Sequence, residues 1–222
     1  MASFKVVEIF SSINGEGQKA GQLALFIRMQ GCNLNCGYCD TSWANEEDCI
    51  YHWMETEEIL ELVQSMQIRN VTITGGEPLM QPDILELLEN LAKMEDTEVE
   101  IETNGSVPLE PFIHMERRPV FTMDYKLPGS GMEDDMLTSN FAFLGRRDTV
   151  KFVVKDWNDL MRAKEVVDTF DLTARCAVYL NPVYDEIEPE EIVSFMKSHC
   201  MNGVTLQLQL HKIIWDAGMR GV

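Results

Sequence analysis

Three cysteines fall within the ten-residue segment GCNLNCGYCD, at Cys32, Cys36 and Cys39, in a C-x3-C-x2-C spacing. Thiolates are soft ligands that suit zinc and iron–sulfur clusters. A structural zinc site closes on four ligands. Cys49 or His52 stands near enough in sequence to supply a fourth, but zinc modules usually pair two C-x2-C turns and only Cys36 and Cys39 form one. An electron-transfer cube also takes four thiolates. Three thiolates on a cube leave one iron open to a substrate or cofactor, much as a catalytic zinc keeps an open position. The spacing favours such an open-iron cluster over zinc, and over three uncoordinated thiols.

These cysteines follow an apolar run, Ala24 to Met29, that reads as a buried strand. METEEILELVQSM then has helical spacing with Thr56 as cap. VTITGG stops at two glycines. PDILELLENLAKM reads as a helix with Pro82 near its first position. Further strands are expected from Val99, over Val120–Asp124, over Thr149–Val154, and in RCAVYLNPV, where Asn181-Pro182 breaks the run. WNDLMRAKEVVDTF and EPEEIVSFMKSHC read as helices. VTLQLQL alternates, which puts Leu206, Leu208 and Leu210 on one strand face and Gln207, Gln209 and His211 on the other. Strand, loop and helix in rotation point to a parallel α/β sheet. A full eightfold barrel takes about 250 residues, and the chain has 222. The expected fold is therefore α/β, a partial or shrunken TIM-like barrel, as one domain over residues 1–222. A doubly wound nucleotide fold stays open, although its glycine-rich loop is missing. The unusual residues lie just after strands: the cysteines, Gly75-Gly76-Glu77-Pro78, Thr103-Asn104-Gly105, and Asp124 with Lys126.

The formal net charge is -19, and Arg117-Arg118 and Arg146-Arg147 are isolated pairs, so no nucleic-acid partner is expected. No leader-like or membrane-length apolar run stands out, so a cytoplasmic protein with no membrane partner is expected. Six cysteines without a secretion signal argue for metal rather than disulfides. Cys176 and Cys200 read as ordinary buried thiols.

C-x3-C-x2-C after a first strand resembles the signature of radical S-adenosylmethionine enzymes. GGEP (Gly75, Gly76, Glu77, Pro78) and ETNG (Glu102, Thr103, Asn104, Gly105) follow in the family's order. EIFSSINGEGQKAGQLALFIRMQGCNLNCGYCDT and LQLHKIIW extend the likeness over essentially the whole chain, to the 7-carboxy-7-deazaguanine synthase family. The resemblance implies a [4Fe-4S] cluster on Cys32, Cys36 and Cys39. It implies S-adenosylmethionine held by Tyr38, Gly75, Gly76, Glu77, Glu102, Thr103, Asn104, Asp124 and Lys126. It also implies Mg2+ at Thr41, with Asp40 in support, and a substrate site at Ile13, Asn14, Gly15, Glu16, Gly17, Arg28, Gln209 and His211.

The implied reaction contracts the ring of 6-carboxy-5,6,7,8-tetrahydropterin to 7-carboxy-7-deazaguanine with release of ammonia, in the queuosine pathway. The implied partners are the carboxylated pterin, an electron donor such as a flavodoxin, and a second copy in a homodimer. An arginine fork at Arg28 suits the carboxylate, and Glu16 can accept from the pterin's N–H groups. A glycyl-radical activating enzyme would share the cysteine loop but leave Arg28 and LQLHK without a task. A non-catalytic zinc or iron–sulfur scaffold would leave GGEP unexplained.

Overall fold

The computed structural model describes residues 2–46 and 48–222. Its strands are β1 (Ser3–Ile13), β2 (Leu23–Met29), β3 (His52–Glu55), β4 (Asn70–Gly75), β5 (Glu98–Thr103), β6 (Val120–Tyr125), β7 (Thr149–Val154), β8 (Ala177–Pro182) and β9 (Val204–Leu206). The helices are α1 (Thr56–Met66), α2 (Ile84–Ala92), α3 (Trp157–Phe170), α4 (Leu172–Arg175), α5 (Pro189–Ser198) and α6 (Leu210–Ile214). The sheet runs β3-β1-β2-β4-β5-β6-β7-β8-β9 and does not close. β1 is antiparallel to β2 and β3, and every other neighbour is parallel. The expected partial α/β barrel is what forms. Among the described residues no helix is long and apolar enough to cross a membrane.

Strand alternation sorts the side chains into two populations. Ile27, Ile73, Ile101, Met123, Phe152 and Leu180 are almost fully buried and share one core with the helix residues Ile59, Leu87, Leu91, Leu160, Ala163 and Phe195. The opposite parity is polar: Arg28, Thr74, Glu102 and Asp124, toward the carboxyl ends of β2, β4, β5 and β6, and Lys151, in the middle of β7, line a cavity. Arg28 pairs in register with Thr74, and Asp124 with Lys151. The apolar outer face buries the helices, and the polar inner face forms the site.

The β1–β2 connection, residues 14–22, spans the lumen and closes its floor. Gly17 N–H donates to Gln207 Oε1 at 2.8 Å and Gln207 Nε2 donates to Gly17 O at 2.9 Å. Gln18 Nε2 donates to Asp148 O at 3.0 Å, and Lys19 Nζ meets Glu98 at 2.8 Å. These contacts tie the first hairpin to the residue that follows β9 and to the starts of β5 and β7.

Several sequence expectations are corrected. The alternating VTLQLQL run stops as strand at Leu206, and His211 lies in α6. Among the described residues β9 is an edge with no further strand beyond it, and Gln207 is taken by Gly17. Thr56 begins α1 and the cap is Glu55, in a reciprocal box with Glu58. β8 ends at Pro182, as the Asn181-Pro182 break implies, with both residues still paired to β7, and α2 starts at Ile84, beyond Pro82. Cys176 is buried, but Cys200 is exposed. The arginine pairs are not isolated, since Arg117, Arg118 and Arg147 share a small cavity. The Arg117 guanidinium donates to the carbonyls of Ala92, Met94 and Thr97, and Arg118 pairs with fully buried Asp148 at 2.6 Å.

Lower in the lumen, Glu100 is 5% exposed and accepts from Thr122 Oγ1 at 2.5 Å. Burial pushes its carboxyl up to about 7 from an ordinary 4.5, against the Thr122 hydrogen bond, and the Glu102 charge adds to the rise. A raised acid binds its proton more tightly when folded. Its stabilising contribution is complete below about pH 4.5 and is lost as pH rises to about 7. Glu100→Gln keeps the acceptor without the charge. Denaturant unfolding should show the variant gaining on wild type across that window, by on the order of 2–3 kcal/mol at pH 8. A pH-independent difference would contradict this account.

Candidate active site

The cavity at the carboxyl ends of the parallel strands holds about 400 Å³. Cys32, Cys36 and Cys39 occupy one wall as free thiols. Leu34 N–H points at Cys32 Sγ at 3.4 Å, and Asn104 Nδ2 lies 3.5 Å from the same sulfur. Burial raises the Cys36 and Cys39 thiols; for Cys36 the Lys126 ammonium opposes that rise. Among the described residues no three His, Cys, Asp or Glu side chains close on a single metal ion. Tyr38, before the last cysteine, lines the cavity and donates to Val153 O at 3.1 Å.

The cysteine loop is seated by glycine. Gly75 has φ +148, and a Cβ there would stand 2.2 Å from Met29 O. A Cβ on Gly76 would stand 1.9 Å from Gly31 O, next to Cys32, and 2.5 Å from Asn45 Oδ1. Both glycines line the cavity. Glu77 does not: it is fully buried and braces two strand ends. Its carboxylate accepts from Leu79 N–H at 3.0 Å, Thr103 Oγ1 at 2.9 Å and Asn104 N–H at 2.6 Å. Burial pushes it up to about 7 despite those three donors. Thr103 and Asn104 reach the cavity, as does Glu102, whose carboxyl is raised by burial and held back by Lys151 and Thr74. Burial also acts on Asp124, but Lys126 and Lys151 outweigh it and hold the carboxyl low.

The floor and far wall carry the residues expected to meet a substrate. Ile13, Gly15, Glu16, Arg28, Gln209 and His211 line the cavity. Asn14 and Gly17 do not. Asn14 is buried and accepts from Thr72 Oγ1 at 3.0 Å, while Gly17 is held by Gln207. Arg28 Nε donates to Glu8 Oε1 at 2.7 Å, directly across the β1–β2 pair. No hydrogen bond occupies its Nη atoms among the described residues. His211 packs against Gly15, leaving no room for a Cβ there, and burial holds its imidazole below the usual value, against the nearby Glu16 and Asp40 charges. Thr41 lines the cavity and donates to Asp40 Oδ1 at 3.0 Å; Asp40 also faces Lys212 at 3.4 Å.

Other wall residues lie outside the motifs. Glu8 faces Arg28 only because β1, which the sequence pattern did not single out, pairs with β2. Lys151 is a lone charge in the buried TVKFVV run, and its parity was the available signal. Asn181, read as a strand breaker, is not on the wall but is buried behind it and donates to Glu16. The last residues, Ala217 to Val222, also line the cavity, with Arg220 3.9 Å above the Trp43 ring. Nothing in the pattern pointed to them.

Because Gly76 meets Gly31 backbone directly, Gly76→Ala must displace the cysteine loop or β4. The expected loss is about 1–3 kcal/mol, read by denaturant unfolding of the apoprotein, with fewer irons bound after anaerobic reconstitution. An unchanged midpoint and full iron content would show that the close approach is dispensable.

The profile of the Radical SAM superfamily matches residues 26–124. The chain is 54% identical over 220 residues to the 7-carboxy-7-deazaguanine synthase of Clostridium acetobutylicum, covering 99% of this chain and 100% of that one. It is 34% identical to the synthase of Leptospira interrogans, over 98% of this chain and 97% of the other. The crystal structure of QueE from Escherichia coli superposes with a TM-score of 0.70 at 23% identity, covering 93% and 94% of the two chains, and shows the same fold. Sequence identity along nearly the full length, with the cysteine triplet on the wall of one polar cavity, establishes that this chain is an enzyme that belongs to the 7-carboxy-7-deazaguanine synthase family of the radical S-adenosylmethionine superfamily.

Proposed function

We propose that the chain contracts the ring of 6-carboxy-5,6,7,8-tetrahydropterin to 7-carboxy-7-deazaguanine with loss of ammonia. The observation that carries this reading is the meeting, in one cavity, of three free thiols and an opposing wall with an arginine fork and a carboxylate. Cys32, Cys36 and Cys39 would hold a [4Fe-4S] cluster, which with bound S-adenosylmethionine supplies the one-electron chemistry that starts the reaction.

The chain's own residues bind and orient. Glu8 holds Arg28 by Nε, which leaves both Nη groups to take the substrate carboxylate side by side. Glu16, tied down by Lys151 and Asn181, keeps lone pairs for the pterin's ring N–H and amino groups. Burial favours the neutral form of His211, which offers one donor and one acceptor to the ring without adding charge. Tyr38, Gly75, Gly76, Glu102, Thr103, Asn104, Asp124 and Lys126 would contact S-adenosylmethionine, and Glu77 supports them from behind. The Thr41 hydroxyl, turned toward Asp40 but with a lone pair to spare, fits Mg2+ completed by substrate oxygens. The same family likeness supports a single domain acting as a homodimer, reduced by a donor such as a flavodoxin. A cavity floored by the β1–β2 connection suits a bicyclic carboxylate rather than the loop of a protein partner.

Anaerobically reconstituted protein given reductant, S-adenosylmethionine and the carboxylated pterin should form 7-carboxy-7-deazaguanine and ammonia with no protein substrate. Arg28→Ala should lower kcat/KM by roughly 2–5 kcal/mol in transition-state binding, at full iron content. Consumption of S-adenosylmethionine without loss of the pterin would refute the assignment. Chelator-treated wild type should recover strongly on adding magnesium, and Thr41→Ala only weakly. Equal wild-type rates with and without magnesium would remove that ion from the site.

A further inference from the structure

We propose that Lys151, in the middle of β7 and outside every recognised motif, is a positioning residue that holds the substrate and cofactor subsites in register. The inference rests on the assignments of Glu16 to the pterin and Asp124 to S-adenosylmethionine. Lys151 is 7% exposed. Its Nζ lies 2.9 Å from Glu16 Oε2 and 3.1 Å from Asp124 Oδ1. The other oxygen of each carboxylate is also taken. Asn181 Nδ2 donates to Glu16 Oε1 at 2.6 Å, and Lys126 Nζ meets Asp124 Oδ2 at 2.7 Å. Lys126 in turn lines the same cavity as Cys36. One row of alternating charges, Glu16, Lys151, Asp124, Lys126, thus crosses the cavity from the floor to the cysteine wall. Glu102 presents a further negative charge to the same ammonium.

The two carboxylates come from different parts of the fold. Glu16 sits on the β1–β2 connection, which has no regular secondary structure to fix it, and Asp124 ends β6. Lys151 is the side chain that touches both. In a poorly solvated site neither carboxylate can swing without leaving a buried charge unpaired, which is costly. The Glu8–Arg28 pair is different, because it joins adjacent strands and orients one residue without linking the subsites. Hydrogen transfer between two bound molecules depends steeply on their separation. A displacement of about 1 Å costs on the order of 10²-fold in rate. Without Lys151 each molecule would still bind, but the reacting atoms would lose their alignment.

The test compares reconstituted wild type, Lys151→Met and Lys151→Arg, with 5'-deoxyadenosine and 7-carboxy-7-deazaguanine measured in the same reactions. Lys151→Met should raise deoxyadenosine per product by about ten-fold or more, because the cofactor is cleaved without productive transfer. Lys151→Arg, whose fork can span both carboxylates, should restore most of the coupling. A parallel fall in both products at constant ratio would assign Lys151 a structural role and overturn the proposal, as would no change at all. If Lys151→Met does not hold its iron, Lys151→Gln, which keeps a donor, is read by the same ratio. Failure of wild type to convert the pterin would refute the proposed function instead. Lys151 is then judged by binding of S-adenosylmethionine with and without 6-carboxypterin. Mutual enhancement present in wild type and lost in Lys151→Met supports the linkage. Its absence from wild type, or its persistence in the variant, overturns it.

Discussion

A charge that faces the inside of a parallel sheet must find its partner there, and this requirement organises the molecule. The outward parity of β2 and β4–β8 is committed to the helices, so Arg28, Glu102, Asp124 and Lys151 have no other direction to face. Each is costly to bury alone and tolerable when paired. Arg28 finds Glu8, Asp124 finds two lysines, and Lys151 finds two carboxylates. The pairings need β1 beside β2 and the 14–22 connection inside the lumen. The irregular parts of the chain are therefore placed by the electrostatics of the regular ones.

The cysteine wall depends on a different kind of fit. Close backbone contact at Gly75 and Gly76 sets the loop that begins at Gly31, and Glu77 ties β4 to β5 from behind. The motif residues thus divide into those that face the cavity and those that hold the others in place. Glu77 and Gly17 belong to the second group, although their sequence context gives no hint of the division.

The sequence made most of the sheet legible because β4 to β7 carry a period of two bounded by turn residues. It also made the cysteine wall legible, because Cys32, Cys36 and Cys39 lie close together on one loop. It did not show β1, whose pattern is blurred by partly exposed Glu8 and Ser11 at an antiparallel edge. It misjudged the end of the chain, where alternation in VTLQLQL predicts a longer strand than an open sheet can pair. Lys151, Asn181 and Glu8 were hidden for a shared reason. Each is an unremarkable polar residue in its own segment and gains meaning only from a partner on a distant one. Asn181 and Glu16 are 165 positions apart, and Lys151 and Glu16 are 135.

The two bonds between Gly17 and Gln207 join residues 190 positions apart. A contact that remote carries a large loop-closure cost and belongs to the slow, late part of folding. On a ribosome the hairpin that bears Glu16 emerges early, yet it cannot seat until β9 has been made. The hydrogen bonds that seat the thiol loop run to Ser106, Ser130 and Val153, all made before Gln207. Biogenesis therefore passes through an interval in which the cysteines are already displayed while the lumen beneath them is unsealed. A chain cut short before Gln207 would remain in that condition.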